Sequence, residues 1–104
     1  MAKDKDIKIV KSFKEKLSKD IKVNKLIFFG SRSSGKYKRW SDFDLIIVSP
    51  YFKNKKPRYR SLGFREYWNN NYPVDFLCYT PREFNRLKKQ VSLVAQATKE
   101  GIEI

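Results

Sequence analysis

Three short apolar runs constrain what this chain can fold into: residues 23–29, ended by Gly30, residues 43–48, closed by Ser49-Pro50, and residues 74–79, opened by Pro73. Each is rich in β-branched and aromatic side chains and bounded by turn formers, the pattern of a strand. Helical spacing surrounds them. Ile7, Val10, Phe13, Leu17 and Ile21 recur every three or four residues and predict an amphipathic helix over 4–21, with lysines on its other face. Residues 51–72 are basic and aromatic and read as an exposed loop to about Pro57, a short helix over 58–68 and a turn at Asn69-Asn70-Asn71. Thr80-Pro81-Arg82-Glu83 has the capping-box pattern with proline at the first helical position. Phe84, Leu87, Val91 and Val94 carry that helix on, with a break near Ser92, before Gly101 ends it and residues 102–104 add a short edge strand. The order helix, strand, loop, strand, helix, strand, helix predicts an α/β (α+β) fold with a small central sheet. At 104 residues there is room for one domain, an N-terminal helix over 1–21 and a core over 22–104.

Composition narrows the chemistry. The chain has no histidine, which excludes Ser-His-Asp and Cys-His nucleophilic systems and histidine-bound zinc. Its single cysteine, Cys78, excludes an internal disulfide and reads as a packed small hydrophobe. Catalysis must therefore run on carboxylates, hydroxyls, amines and hard metals. The apolar runs are far shorter than the ~20 residues of a membrane span, and the polar N-terminus lacks a signal-peptide core, so a cytoplasmic protein with no membrane partner is expected. A net charge of +13 leaves nucleic acid, an acidic partner, a polyphosphate ligand or a solvated lysine surface open.

Three features carry chemistry. Gly30-Ser31 directly follows a strand and is followed by Gly35 and the cations Arg32, Lys36, Lys38 and Arg39. Glycine admits close approach of the backbone, and successive amides with a serine hydroxyl can cradle phosphate oxygens. Asp42 and Asp44 bracket Phe43 at the start of a strand, so their side chains project from one face. Two like charges so placed raise each other's pKa unless a cation lies between them, and Mg²⁺ suits carboxylate and phosphate oxygens. Asp75 interrupts the third apolar run. If that strand neighbours the second, its carboxylate joins the same cluster and completes a two-metal phosphoryl-transfer layout.

At these residues the chain resembles the minimal nucleotidyltransferase domains of the DNA polymerase beta superfamily. Gly30-Ser31, ten intervening residues, Asp42-Phe43-Asp44 before an apolar strand, and the later Asp75 match that family's motif, and the resemblance covers residues 21–104. It implies a small mixed sheet flanked by helices that binds ATP and Mg²⁺. It implies that Asp42 and Asp44 hold the metals, that Gly30 and Ser31 bind the β- and γ-phosphates, and that Asp75 assists the metal near the attacking hydroxyl. Arg32 and Lys36 stand where a triphosphate needs neutralising. Standalone members often act beside a small helical partner of the HEPN type, a ribonuclease toxin silenced by addition of AMP to a tyrosine. The resemblance therefore implies an antitoxin-like adenylyltransferase.

The surroundings keep other readings open. Tyr37, Tyr51, Tyr59, Tyr67 and Trp68 interleave with lysine and arginine, which suits single-stranded nucleic acid as well as partner docking or plain packing. Trp40 could stack on a base or simply wall the site, and Arg82 and Arg86 read as solvated charges. Transfer to an RNA end, or a non-catalytic antitoxin or nucleic-acid-binding module that keeps the fold, are the alternatives.

Overall fold

A computed structural model describes residues 2–36 and 41–104; Tyr37, Lys38, Arg39 and Trp40, singled out above, lie outside the described residues. The chain runs α1 (Asp4–Ser18), β1 (Lys25–Phe29), α2 (Ser31–Ser34), β2 (Phe43–Val48), two 3₁₀ turns (Pro50–Phe52 and Pro57–Tyr59), α3 (Arg65–Trp68), β3 (Val74–Tyr79), α4 (Pro81–Leu87), α5 (Leu93–Glu100) and β4 (Ile102–Glu103). The sheet order is β3-β2-β1-β4, with β2 and β3 parallel and the β1 pairings antiparallel. The expected small mixed sheet flanked by helices is what forms.

Strand alternation divides the core between the two faces. On one face Leu26 and Phe28 of β1 and Phe43, Leu45 and Ile47 of β2 pack with Val10, Phe13 and Leu17 of α1 and with Phe64 and Trp68. On the other face Ile27, Ile46 and Val48 meet Phe84 of α4 and Val94 and Ala97 of α5. Asp42 and Asp44 share the alternation of Ile46 and Val48, so they belong to the α4–α5 face.

Local signals end the elements where the residues demand it. Thr80 and Glu83 form the reciprocal capping box, with Pro81 at the first helical position. Ser92 accepts from the Ala95 amide and starts α5 afresh, which separates it from α4. Ile104 N donates to Leu26 O at 2.9 Å, so the C-terminus does close the sheet edge. The first helix is shorter than its apolar spacing predicts and buries Asp6, fully enclosed, beside its apolar stripe. The single helix expected over 58–68 is instead a 3₁₀ turn and the separate α3, with Gly63 at φ +83° between them.

The basic segment is not a free loop. Phe52 is fully buried, and Arg60, 6% exposed, donates from Nε to Lys55 O at 3.0 Å and from Nη1 to Cys78 O at 3.1 Å. Its guanidinium also makes a two-bond fork with Glu83. The Arg60 fork holds the Glu83 carboxyl below its usual value near 4.5. A lowered folded-state pKa contributes stability above the unfolded value, and that stability is lost as pH falls through the folded one. Thermal melts of the wild type should therefore fall in midpoint as pH drops below about 4.5, more steeply than those of Glu83→Gln. Parallel profiles for the two proteins would contradict the assignment.

Candidate active site

The site is assembled by register. Asp44 of β2 stands opposite Phe29 of β1 on one side and opposite Asp75 of β3 on the other. In a parallel pair, residues in register point the same way, and neighbouring strands lie about 4.8 Å apart. Asp44 and Asp75 therefore rise side by side from one face of the sheet, at the end where β1 gives way to Gly30-Ser31. Asp42 precedes β2 on the same alternation and is exposed. The expected adjacency of the second and third strands is thus present, and it brings the acids to one place.

Crowding leaves an electrostatic signature. Burial first, then the charge of Asp75, then that of Asp42, pushes the Asp44 carboxyl above its usual value. Such a group is uncomfortable as an anion without a counter-charge. The three acids are hard oxygen donors, the chemistry that Mg²⁺ takes. Among the described residues, however, no group of three acidic or sulfur side chains is gathered closely enough to hold an ion as it stands. The expected three-carboxylate cluster is brought to one face without being closed.

Gly30 is fitted against this cluster. It adopts φ 82° and ψ −168°, a region that residues with a Cβ avoid. A Cβ there would overlap Asp44 Oδ2 and lie 3.1 Å from Asp44 Cγ. Glycine thus lets the chain turn from β1 into α2 directly over the central carboxylate. We expect Gly30→Ala to destabilise the fold by about 2 kcal/mol or more, from strain alone, and to displace Asp44 as well. A melt within 2 °C of wild type, on the order of 0.5 kcal/mol for a domain of this size, would contradict it.

Ser31 is exposed at the start of α2 and, with Gly30, Ser33 and Ser34, lines a cavity of about 390 Å³. Its far wall is α5, through Leu93, Gln96 and Glu100. Sequence reasoning did not find this wall, because only the return of the chain through β4 onto β1 brings α5 beside the turn. Lys36 is exposed just beyond Gly35, at the edge of the described segment.

Arg32 departs from its expected role as a phosphate cation. It is 2% exposed, with Nε 3.4 Å and Nη2 3.5 Å from the Asp6 carboxylate. Nη1 donates to Ser41 O at 2.9 Å, and the guanidinium lies 4.4 Å from the Phe43 ring centre and 4.6 Å from that of Tyr72. Its charge is spent inside the protein, where it ties α1 to the residue preceding Asp42. The physical reason is reach: the side chain of the second residue in α2 points back beneath the turn. Cys78 is mostly buried, and burial pushes its thiol up to about 12, in keeping with a packing role.

Comparison with known proteins agrees with this fold. The sequence profile of the family described as "Nucleotidyltransferase domain" matches residues 7–104. A crystal structure of a "putative nucleotidyltransferase" from Sulfolobus solfataricus has a similar fold, with a TM-score of 0.60 and 24% identity over 76% of this chain and 70% of that one. No curated protein matches the chain. A glycine turn over paired in-register aspartates, within a profile match that spans nearly the whole sequence, makes this chain a member of the nucleotidyltransferase domain family.

Proposed function

We propose that the protein transfers AMP from ATP to a hydroxyl acceptor, with a tyrosine of a small helical HEPN-type partner as that acceptor. The observation that carries the reading is the register of Asp44 with Asp75 under Gly30. In this reading the acceptor oxygen forms a bond to the α-phosphorus and the bond to the β-phosphate oxygen breaks. Pyrophosphate leaves with the electron pair, and the hydroxyl proton passes to the Asp75 carboxylate and from there to water.

The chain's residues divide the work. Gly30 and Ser31 offer backbone and hydroxyl donors to the β- and γ-phosphates, with exposed Lys36 adding charge. Asp42 and Asp44 would hold the divalent cations, and Asp75 would serve on the acceptor side. Bound Mg²⁺ supplies charge neutralisation on the phosphates and makes the acceptor hydroxyl more acidic. Asp75, exposed beside Asp44, is open to the acceptor and can orient its oxygen. The remainder of the catalytic effect is positioning.

The test is co-expression with a candidate small helical protein of the HEPN type, followed by intact-mass measurement of that protein. One added AMP is expected with wild type and none with Asp42→Asn. Equal modification by both proteins would contradict the proposal.

A further inference from the structure

A second surface lies at the opposite end of the sheet. From Leu45 to Arg65 the sequence has no acidic residue. The two 3₁₀ turns in this stretch present Tyr51 and Tyr59 with 46% and 50% of their surface exposed. Lys55 Nζ sits 4.6 Å from the centre of the Tyr51 ring, and the Arg58 guanidinium 4.9 Å from that of Tyr59. Two adjoining depressions share Asn54 and Arg60; one is lined by Tyr51, Lys55, Lys56 and Tyr59, and the other by Lys53, Arg82 and Arg86. Glu83, an acid within this area, is neutralised by Arg60, and Asp20 stands at the Tyr51 edge, where it accepts from Tyr67.

The surface is built rather than loose. The buried Phe52 and the Arg60 fork anchor it to β3 and α4. It is also narrower than the sequence suggests. Trp68 is buried, with its indole N–H donated to Tyr72 O, and Tyr67 donates to Asp20, so neither belongs to it. In exchange α4 contributes Arg82 and Arg86.

We propose that this surface docks single-stranded RNA. Exposed rings flanked by cations offer a stacking face and a phosphate partner at the same place, and each stack is sequence-tolerant. An acidic peptide would engage the cations and leave the rings unused. Unpaired bases are a standing feature of RNA and a transient one in duplex DNA. Because Asp44 and this surface flank the length of β2, roughly 15 to 20 Å, the RNA bound here is held away from the acids. The inference is independent of the catalytic reading, and Asp44→Asn should keep full RNA affinity.

The experiment is fluorescence anisotropy of a labelled oligouridylate of roughly twelve nucleotides, titrated with the full chain at several salt concentrations. With about four phosphates engaged, affinity should fall roughly fifty-fold for a fourfold rise in salt. Tyr51→Ala with Tyr59→Ala should weaken binding at least about tenfold with an unchanged salt slope. Lys55→Gln with Arg58→Gln should flatten that slope, each charge removed taking away about 0.7. The proposal is overturned by no saturable binding at low salt or by a tyrosine double variant that binds like wild type. It is overturned equally by tighter binding to a duplex, or by polyglutamate of matched charge displacing the probe as well as unlabelled RNA does.

Discussion

Asp44→Asn should abolish nucleotidyl transfer, by at least about 10³-fold, while leaving the protein folded and as stable as wild type or slightly more stable. The two effects have one cause. Burial and the charges of Asp75 and Asp42 make the Asp44 anion unfavourable in the folded state, so an isosteric neutral group relieves repulsion. In the proposed reading, that same concentration of negative charge would attract cations and, through them, phosphate. Functional sites commonly retain interactions that cost stability. Melting curves and transfer assays on the same preparations check both halves. A variant that is inactive and strongly destabilised would point to a structural carboxylate instead.

Asp6→Ala is expected to have the largest effect on stability. Asp6 is fully enclosed and faces the guanidinium of Arg32, itself 2% exposed. Removing one member of a buried pair leaves the other charge uncompensated, typically at a cost of about 3–5 kcal/mol. Arg32 keeps the Ser41 carbonyl and the rings of Phe43 and Tyr72, which places the expected loss near the lower end, about 3 kcal/mol. In a domain of this length that corresponds to a fall in Tm of roughly 12 °C or more. Arg32→Met should be tolerated better when combined with Asp6→Leu than alone, because replacing both partners removes the unpaired charge. The pair also holds Ser41, next to Asp42, so Asp6→Ala should lower activity at temperatures where it is still folded. A shift of only a few degrees would show that the pair contributes little.

Much of the frame was legible because its signals are local. β2 and β3 fall where alternation and flanking prolines and serines put them, and the Thr80–Glu83 box and the Ser92 restart need only neighbouring residues. That the three acids share one face of the sheet was legible one step further out. Asp42 and Asp44 share a face by strand period, and Asp75 joins them once β3 lies beside β2. What escaped the sequence depends on contacts between distant segments. Asp6 reads as an ordinary first-turn acid until Arg32, twenty-six residues later, folds back onto it. Arg32 reads as one more cation of a phosphate loop until its side chain is seen to turn inward. Arg82 and Arg86 are exposed, as they read in the sequence, but the sequence does not show that α4 sets them in a depression adjoining the tyrosine turns.

The division of charge follows from the same placements. Lys5, Lys8 and Lys11 of α1 are solvent-exposed, Arg32 and Arg60 are internal braces, and Lys53, Lys55, Lys56 and Arg58 with α4 form a surface at the end of the sheet away from the acids. No helix among the described residues is long and apolar enough to cross a membrane.

Nucleotidyl transfer is tested most directly by following the label of ATP carrying radioactive phosphate at either the α or the γ position, with Mg²⁺ and the proposed HEPN-type partner present. The account predicts that α-label becomes covalently attached to the partner and γ-label appears in pyrophosphate, with both lost in Asp44→Asn or on chelation of the metal. Attachment of γ-label, or equal attachment of α-label by wild type and Asp44→Asn, would contradict it.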